Sequence, residues 1–146
     1  MTVLGVCYSN GWGVIQDSIT AFNWNKKAAE WGVPNAQFNL AQSYNNGKGV
    51  AQDHHAAFNW YKKAAEWDGD LMIVEAQFAM GYNYATGEGV TQDYIRAYMW
   101  WDIAAKNGDK RAVSNLNILK KGISLSEASS AKFLVRECVK KKYKDC

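Results

Sequence analysis

Residues 35–70 read NAQFNLAQSYNNGKGVAQDHHAAFNWYKKAAEWDGD, and the rest of the chain restates them. Gly47-Lys48-Gly49-Val50 precedes Asp53. The same string returns as Gly11-Trp12-Gly13-Val14 ahead of Asp17 and as Gly87-Glu88-Gly89-Val90 ahead of Asp93. After each Asp comes Ala-Phe/Tyr-x-Trp: Ala21, Phe22 and Trp24; Ala57, Phe58 and Trp60; Ala97, Tyr98 and Trp100. An Ala-Ala pair closes each unit, at 28–29, 64–65 and 104–105. The offsets are 36 residues from Gly13 to Gly49 and 40 from Gly49 to Gly89. A period in this range marks a solenoid, in which each unit buries its apolar face only by stacking on its neighbours.

Each unit reads as helix, turn, helix. Ala36, Leu40, Ala41 and Tyr44 share one face of a first helix. Asn46-Gly47 stops that helix, because glycine takes the left-handed conformation of a helix end without penalty. Asp53 suits the N-cap of the second helix: its carboxylate accepts from free N–H groups and sits at the positive end of the helix dipole. Ala57, Trp60, Tyr61, Ala64 and Ala65 form the second apolar stripe. Small alanines allow close helix approach, and the aromatics fill wider gaps.

The first unit is short at its start, because Met1 aligns with Gln37. Its N-terminal edge therefore reads as uncapped: either the chain is part of a longer array or a second copy covers Val3, Cys7 and Phe22. The third unit carries four extra residues within 68–74. The segment Leu71-Met72-Ile73-Val74 either prolongs the incoming helix, packs across the joint or is an exposed contact patch. A degenerate fourth unit opens at Asp109 and places Ala112 and Leu116 like Ala36 and Leu40. Ser124 and Glu127 form a capping box ahead of a last helix over about 125–142. That helix is expected to turn Ala128, Ala131, Val135, Cys138 and Val139 inward and its lysines outward, as a solenoid's closing cap should. The expected architecture is one domain over residues 1–146, with repeats at about 1–33, 34–70 and 74–108 and a capping unit at 109–146.

Charge is unevenly distributed. Residues 1–109 carry 7 Lys/Arg against 11 Asp/Glu, and residues 110–146 carry 10 against 3. A solvated cap helix accounts for this; a basic patch for nucleic acid or an acidic partner is the sharper alternative, but the tail Lys140-Lys141-Lys142-Tyr143-Lys144 alone does not make a nucleic-acid binder, and no nucleic acid is expected. No run of 18 apolar residues exists to span a membrane. The three cysteines make no disulfide framework. Cys7 reads as a small buried residue, whereas Cys138 and Cys146 can bridge in an oxidising compartment if the helix ends between them. The expected compartment is the cytoplasm if Met1 is the natural start, and the periplasm or exterior if a signal peptide was removed.

The pattern A-x-x-x-L-G/A-x-x-Y-x-x-G-x-G-V-x-x-D-x-x-x-A-x-x-W-x-x-x-A-A resembles the Sel-one-like repeat (SLR) family, relatives of the tetratricopeptide repeats. The likeness covers nearly all of residues 2–108. It implies an all-α, right-handed α/α superhelix of antiparallel helix pairs, about eight helices in all. It also implies an adaptor or scaffold that binds another protein, with no cofactor. Asn107-Gly108 stands where the first two repeats have Glu30-Trp31 and Glu66-Trp67, so the joint to the last unit should pack differently.

In such a stack the first helices line a concave groove. With Leu40, Ala41 and Tyr44 in the core, Asn35, Phe38, Gln42 and Asn45 face that groove. The third repeat supplies Glu75, Phe78, Tyr82 and Ala85, and the first supplies Thr2, Val6 and Ser9. Amides that bond backbone groups, beside aromatic anchors, suit an extended peptide or a helix. Phe38 and Phe78 have a second reading, burial between adjacent repeats. Self-association through the truncated first repeat, giving a homodimer, is the alternative function.

Enzyme signatures are weak. His54 and His55 diverge by about 100° on a helix and read as solvated. No cluster has metal-ligand spacing. Asp17, Asp53 and Asp93 already have capping roles. Ser129-Ser130-Ala131-Lys132 matches S-x-x-K but lacks the companion motifs of penicillin-recognising enzymes, so a penicillin-related hydrolase activity is a minor alternative.

Overall fold

The computed structural model describes residues 17–67 and 70–146. Seven α-helices and no strand occur among them: α1 (Ser18–Glu30), α2 (Pro34–Asn46), α3 (His54–Ala65), α4 (Leu71–Thr86), α5 (Tyr94–Lys106), α6 (Lys110–Leu119) and α7 (Leu125–Lys140). The eighth expected helix, which opens the first repeat, falls outside the described residues. The fold is an α-solenoid. Each helix packs on the next in sequence from α1 through α6, α2 also touches α4, and α7 lies on α5.

The aspartates cap as their chemistry demands. Asp17 accepts from the N–H groups of Ile19 and Thr20, Asp53 from Ala56, and Asp93 from Ile95 and Arg96. Ser124 and Glu127 exchange both bonds of a capping box. Gly47 and Gly87 end α2 and α4 in the left-handed conformation, at φ 66° and 78°.

The second glycine of each turn has a further reason to be glycine. Gly89, at φ 73°, lies so close to the start of α3 that an added Cβ would overlap the carbonyl of His54. Gly49 has the same relation to Ser18 at the start of α1. The turn of one repeat thus seats on the second helix of the repeat before it. His55 reinforces it by donating from Nδ1 to the carbonyl of Gly89 at 3.1 Å. His54 donates to Oδ1 of Asn45 at 3.0 Å. His55 is exposed, as expected of a solvated residue, and His54 is half-buried; each also ties α3 to a neighbouring turn or helix.

The extra residues of the third repeat prolong the incoming helix. Asp70 caps α4, and Ile73 is buried, whereas Leu71 points to solvent. Two other expectations need correction. Tyr44 is half-buried rather than fully in the core, with its ring edge-on to Phe22 at 5.4 Å. In α7 only Ala131, Val135 and Cys138 are buried, while Val139 is exposed and the helix stops at Lys140. Because it stops there, the chain can turn back: Cys138 and Cys146 are joined by a disulfide across a Cα separation of 5.5 Å.

The repeat alanines sit where helices touch. Ala28, Ala64 and Ala104 are fully buried, as are Ala36, Ala76 and Ala112 opposite them. Among the described residues most of the largest fully buried side chains, Trp100, Tyr98, Met80, Met99 and Ile103, belong to the third repeat. At about 25 cal/mol per Å2 of apolar surface, each such side chain contributes roughly 2 kcal/mol or more.

Candidate functional site

The first helices of the second and third repeats, α2 and α4, lie side by side and present the same phase. Between them is a cleft of about 200 Å3 lined by Phe38, Gln42, Asn45, Tyr61, Glu75, Phe78, Ala79, Tyr82, Asn83 and Glu88. A second cavity, of about 310 Å3, is lined by Tyr82, Ala85, Thr86, Trp101, Asn115, Ile118 and Leu119. Tyr82 lines both, so the two cavities adjoin at that residue.

The sequence-derived groove residues distribute as follows. Six of them, Phe38, Gln42, Asn45, Glu75, Phe78 and Tyr82, line the first cavity, and Ala85 lines the second. Asn35 is half-buried and lines neither. Thr2, Val6 and Ser9 fall outside the described residues.

Their freedom to bind differs. Gln42 is exposed and Tyr82 is 44% exposed, so both offer unpaired surface. Phe38 is buried against Tyr61, with ring centroids 5.7 Å apart, so it serves as floor rather than anchor. Phe78 is half-buried: Trp101 stacks on it at 6.3 Å, and the guanidinium of Arg111 lies 4.2 Å from its ring centroid. Asn45 spends its carbonyl oxygen on His54. The carboxylate of Glu75 holds Arg111 at 2.8 Å, and Arg111 in turn reaches Asp109 at 2.6 Å.

Electrostatics follow from these partners. Burial pushes the Tyr61 phenol up to about 12, with the charge of Glu75 adding to it, so the hydroxyl stays protonated and can donate in the cleft. Burial also raises the Asp109 carboxyl, but bonds from the Arg111 side chain and the Ala112 N–H outweigh it and hold the acid below the usual range. Bonds from Asp109 and Glu75 fix the positive charge on Arg111.

Sequence reasoning passed over Tyr61 and Trp101 as groove walls. Both directly follow the repeat tryptophan, at Trp60 and Trp100, so the period itself carried the signal. Arg111 and Ile118 come from the degenerate last unit, where no period points to them.

The Sel1 repeat profile matches residues 1–32, 34–66 and 74–109. This chain belongs to the Sel1 repeat family. Among solved structures, this Sel1 repeat protein is similar to the SLR-fold protective antigen of uropathogenic Escherichia coli strains, with 32% identity and a TM-score of 0.84. That match covers 97% of this chain and 30% of the antigen. It is also similar to a Sel1 repeat protein from Oxalobacter formigenes, with 30% identity, a TM-score of 0.77, and 94% and 62% of the two chains covered. The chain thus spans less than two thirds of either neighbour's length. No curated protein matches.

Other candidate features of this Sel1 repeat protein lie elsewhere. Ser129 and Lys132 are exposed on α7, and Ser129 lines a separate cleft with Asp93, Ile95 and Phe133. Among the described residues no group of three or more His, Cys, Asp or Glu is placed to hold a metal, and no helix is long and apolar enough to cross a membrane. Of the tail lysines, Lys140 pairs with Glu137 at 2.9 Å and Lys144 lies over the Trp67 ring. Val3 and Cys7 of the expected self-association edge are outside the described residues; Phe22, its third member, is buried within the chain.

Proposed function

We propose that this chain is a non-catalytic scaffold, acting as a single solenoid domain, that binds a protein partner along the groove between α2 and α4. The observation that carries the reading is the shared cleft, in which Phe38, Gln42, Asn45, Glu75, Phe78 and Tyr82 converge from successive repeats. The Sel1 repeat fold generally mediates protein–protein interaction, which supports the same reading.

The groove offers two kinds of contact. Gln42 supplies an amide for a partner's backbone, and Tyr82 and Ile118 supply exposed apolar surface for side chains. A rigid preformed groove lowers the entropy cost of ordering a flexible partner. An extended segment or helix with apolar residues at regular spacing fits this arrangement.

The test is a capture experiment with wild-type chain beside a Gln42→Ala/Tyr82→Ala variant, each checked for fold by circular dichroism. Neither residue is buried, so the variant should fold normally. Loss of a reproducible, identified partner from the folded variant supports the groove. Retention of every partner by the folded variant refutes it.

A further inference from the structure

The tryptophans are not equally partnered. Lys27 lies over Trp24 at 5.3 Å and Lys63 over Trp60 at 4.3 Å, measured to the ring centroids. Trp100 and Trp101 are buried. Lys144, in the lysine-rich tail held by the Cys138–Cys146 bridge, lies over Trp67 at 4.8 Å. Among the described tryptophans this leaves Trp31, which is 80% exposed. Trp31 occupies the same repeat position as Trp67, and each follows a glutamate, Glu30 and Glu66.

We propose that Glu30-Trp31 is the open copy of a site that, at Glu66-Trp67, Lys144 already fills within the chain. It takes a lysine or arginine side chain from a basic segment of a partner protein. The occupant of the equivalent site names the chemistry: a peptide ammonium on an indole face. The face of an indole carries negative quadrupole potential and attracts a cation, most strongly where water is displaced. The exposed carboxylate of Glu30 adds attraction of the same sign. A tryptophan this exposed also offers the large, rigid contact area typical of an interface anchor. The site lies outside the groove and stands or falls independently of it.

The probe is an acetylated, amidated Lys-Lys-Lys-Tyr-Lys peptide, the sequence of residues 140–144, titrated into the oxidised full chain. The indole N–H resonances are followed by NMR. The Trp31 resonance should move saturably, and Trp31→Ala should weaken binding by about threefold or more, the scale of an exposed cation–π contact. A peptide with norleucine for each lysine should not bind. Because Trp31 is exposed, Trp31→Ala should fold as the wild type does, which circular dichroism checks. The proposal is overturned by any of four results: no saturable shift to about 10 mM peptide, the weak limit of specific binding; equal affinity for Trp31→Ala; equal binding of the norleucine peptide; or movement of the Trp31 resonance with protein concentration alone, which would make the occupant a second copy of the chain.

Discussion

The indole of Trp101 fills the space that a Cβ on Gly81 would need, and its Nε1–H donates to the carbonyl of Phe78 at 3.2 Å. The second repeat has Ala41 and Tyr61 at the same two positions. A smaller ring leaves room for a methyl, and a larger one removes it. Gly81 and Trp101 are thus a matched pair that sets the wall of the groove.

Gly81→Ala should lower the unfolding free energy by about 1–3 kcal/mol, the usual cost of overpacking. The second substitution Trp101→Tyr should recover part of that loss, as contacting residues are not additive. Denaturant midpoints of the two single variants and the double variant test this. Additive losses would mean that the two positions are not coupled.

Asp109 caps α6 through the N–H groups of Arg111 and Ala112 while its carboxylate pairs with Arg111. Asp109→Ala should cost about 1–2 kcal/mol at neutral pH. The depressed acidity of Asp109 in the fold also links stability to pH. The unfolded chain holds that proton more tightly, so the contribution is complete above about pH 4 and is lost as pH falls through the folded value. Thermal melts between about pH 5 and pH 3 should therefore fall less steeply for Asp109→Ala than for wild type. Parallel slopes would refute the assignment.

Tyr61 gives a link of the opposite sense. Its phenol is raised to about 12 in the fold and is near 10 when unfolded. Stability from the protonated phenol is complete below about pH 10 and declines as pH climbs towards the folded value. Tyr61→Phe should flatten that alkaline decline, whatever small cost it carries at neutral pH. The readout is the melting temperature against pH for the two proteins.

The C-terminal tail depends on its bridge. Lys142, Tyr143 and Asp145 have φ of 53°, 66° and 51°, a region non-glycine residues rarely adopt. Tyr143 and Cys146 nevertheless pack against the main core cluster. Cys146→Ser should free the tail, lift Lys144 from Trp67 and lower stability by roughly 2 kcal/mol. Lysine-specific proteolysis should then cut at 140–144 faster than in the oxidised wild type. Unchanged cleavage would show that packing alone holds the tail.

Much of the fold was legible in the chain because it is written several times. Asp17, Asp53 and Asp93 cap by purely local chemistry, so reading them needs no neighbour. The fate of the extra residues before Ala76 was not legible. A longer helix, a packed joint and an exposed patch all place Leu71–Val74 near the same point, and only the side chains packed around Ile73 choose among them. The hydrogen bond of exposed His55 was not legible for the same reason: its partner is a carbonyl 34 residues away.

The candidate groove divides along this line. The helical phase of Leu40, Ala41 and Tyr44 determined which residues turn away from the core, and it brought Gln42 and Tyr82 to the same face. It could not tell Phe38, which is buried, from Phe78, which is half-covered by Arg111. That difference depends on what the next repeat presents: Tyr61 against Phe38, Trp101 and the last unit's Arg111 around Phe78. By itself the sequence determined the repeat, its period and the caps, because local hydrogen bonding and helical periodicity act within a few residues. Only the tertiary structure decided which groove side chains are free and where the tail lies, because burial, close approach and charge pairing arise between segments the chain order does not join.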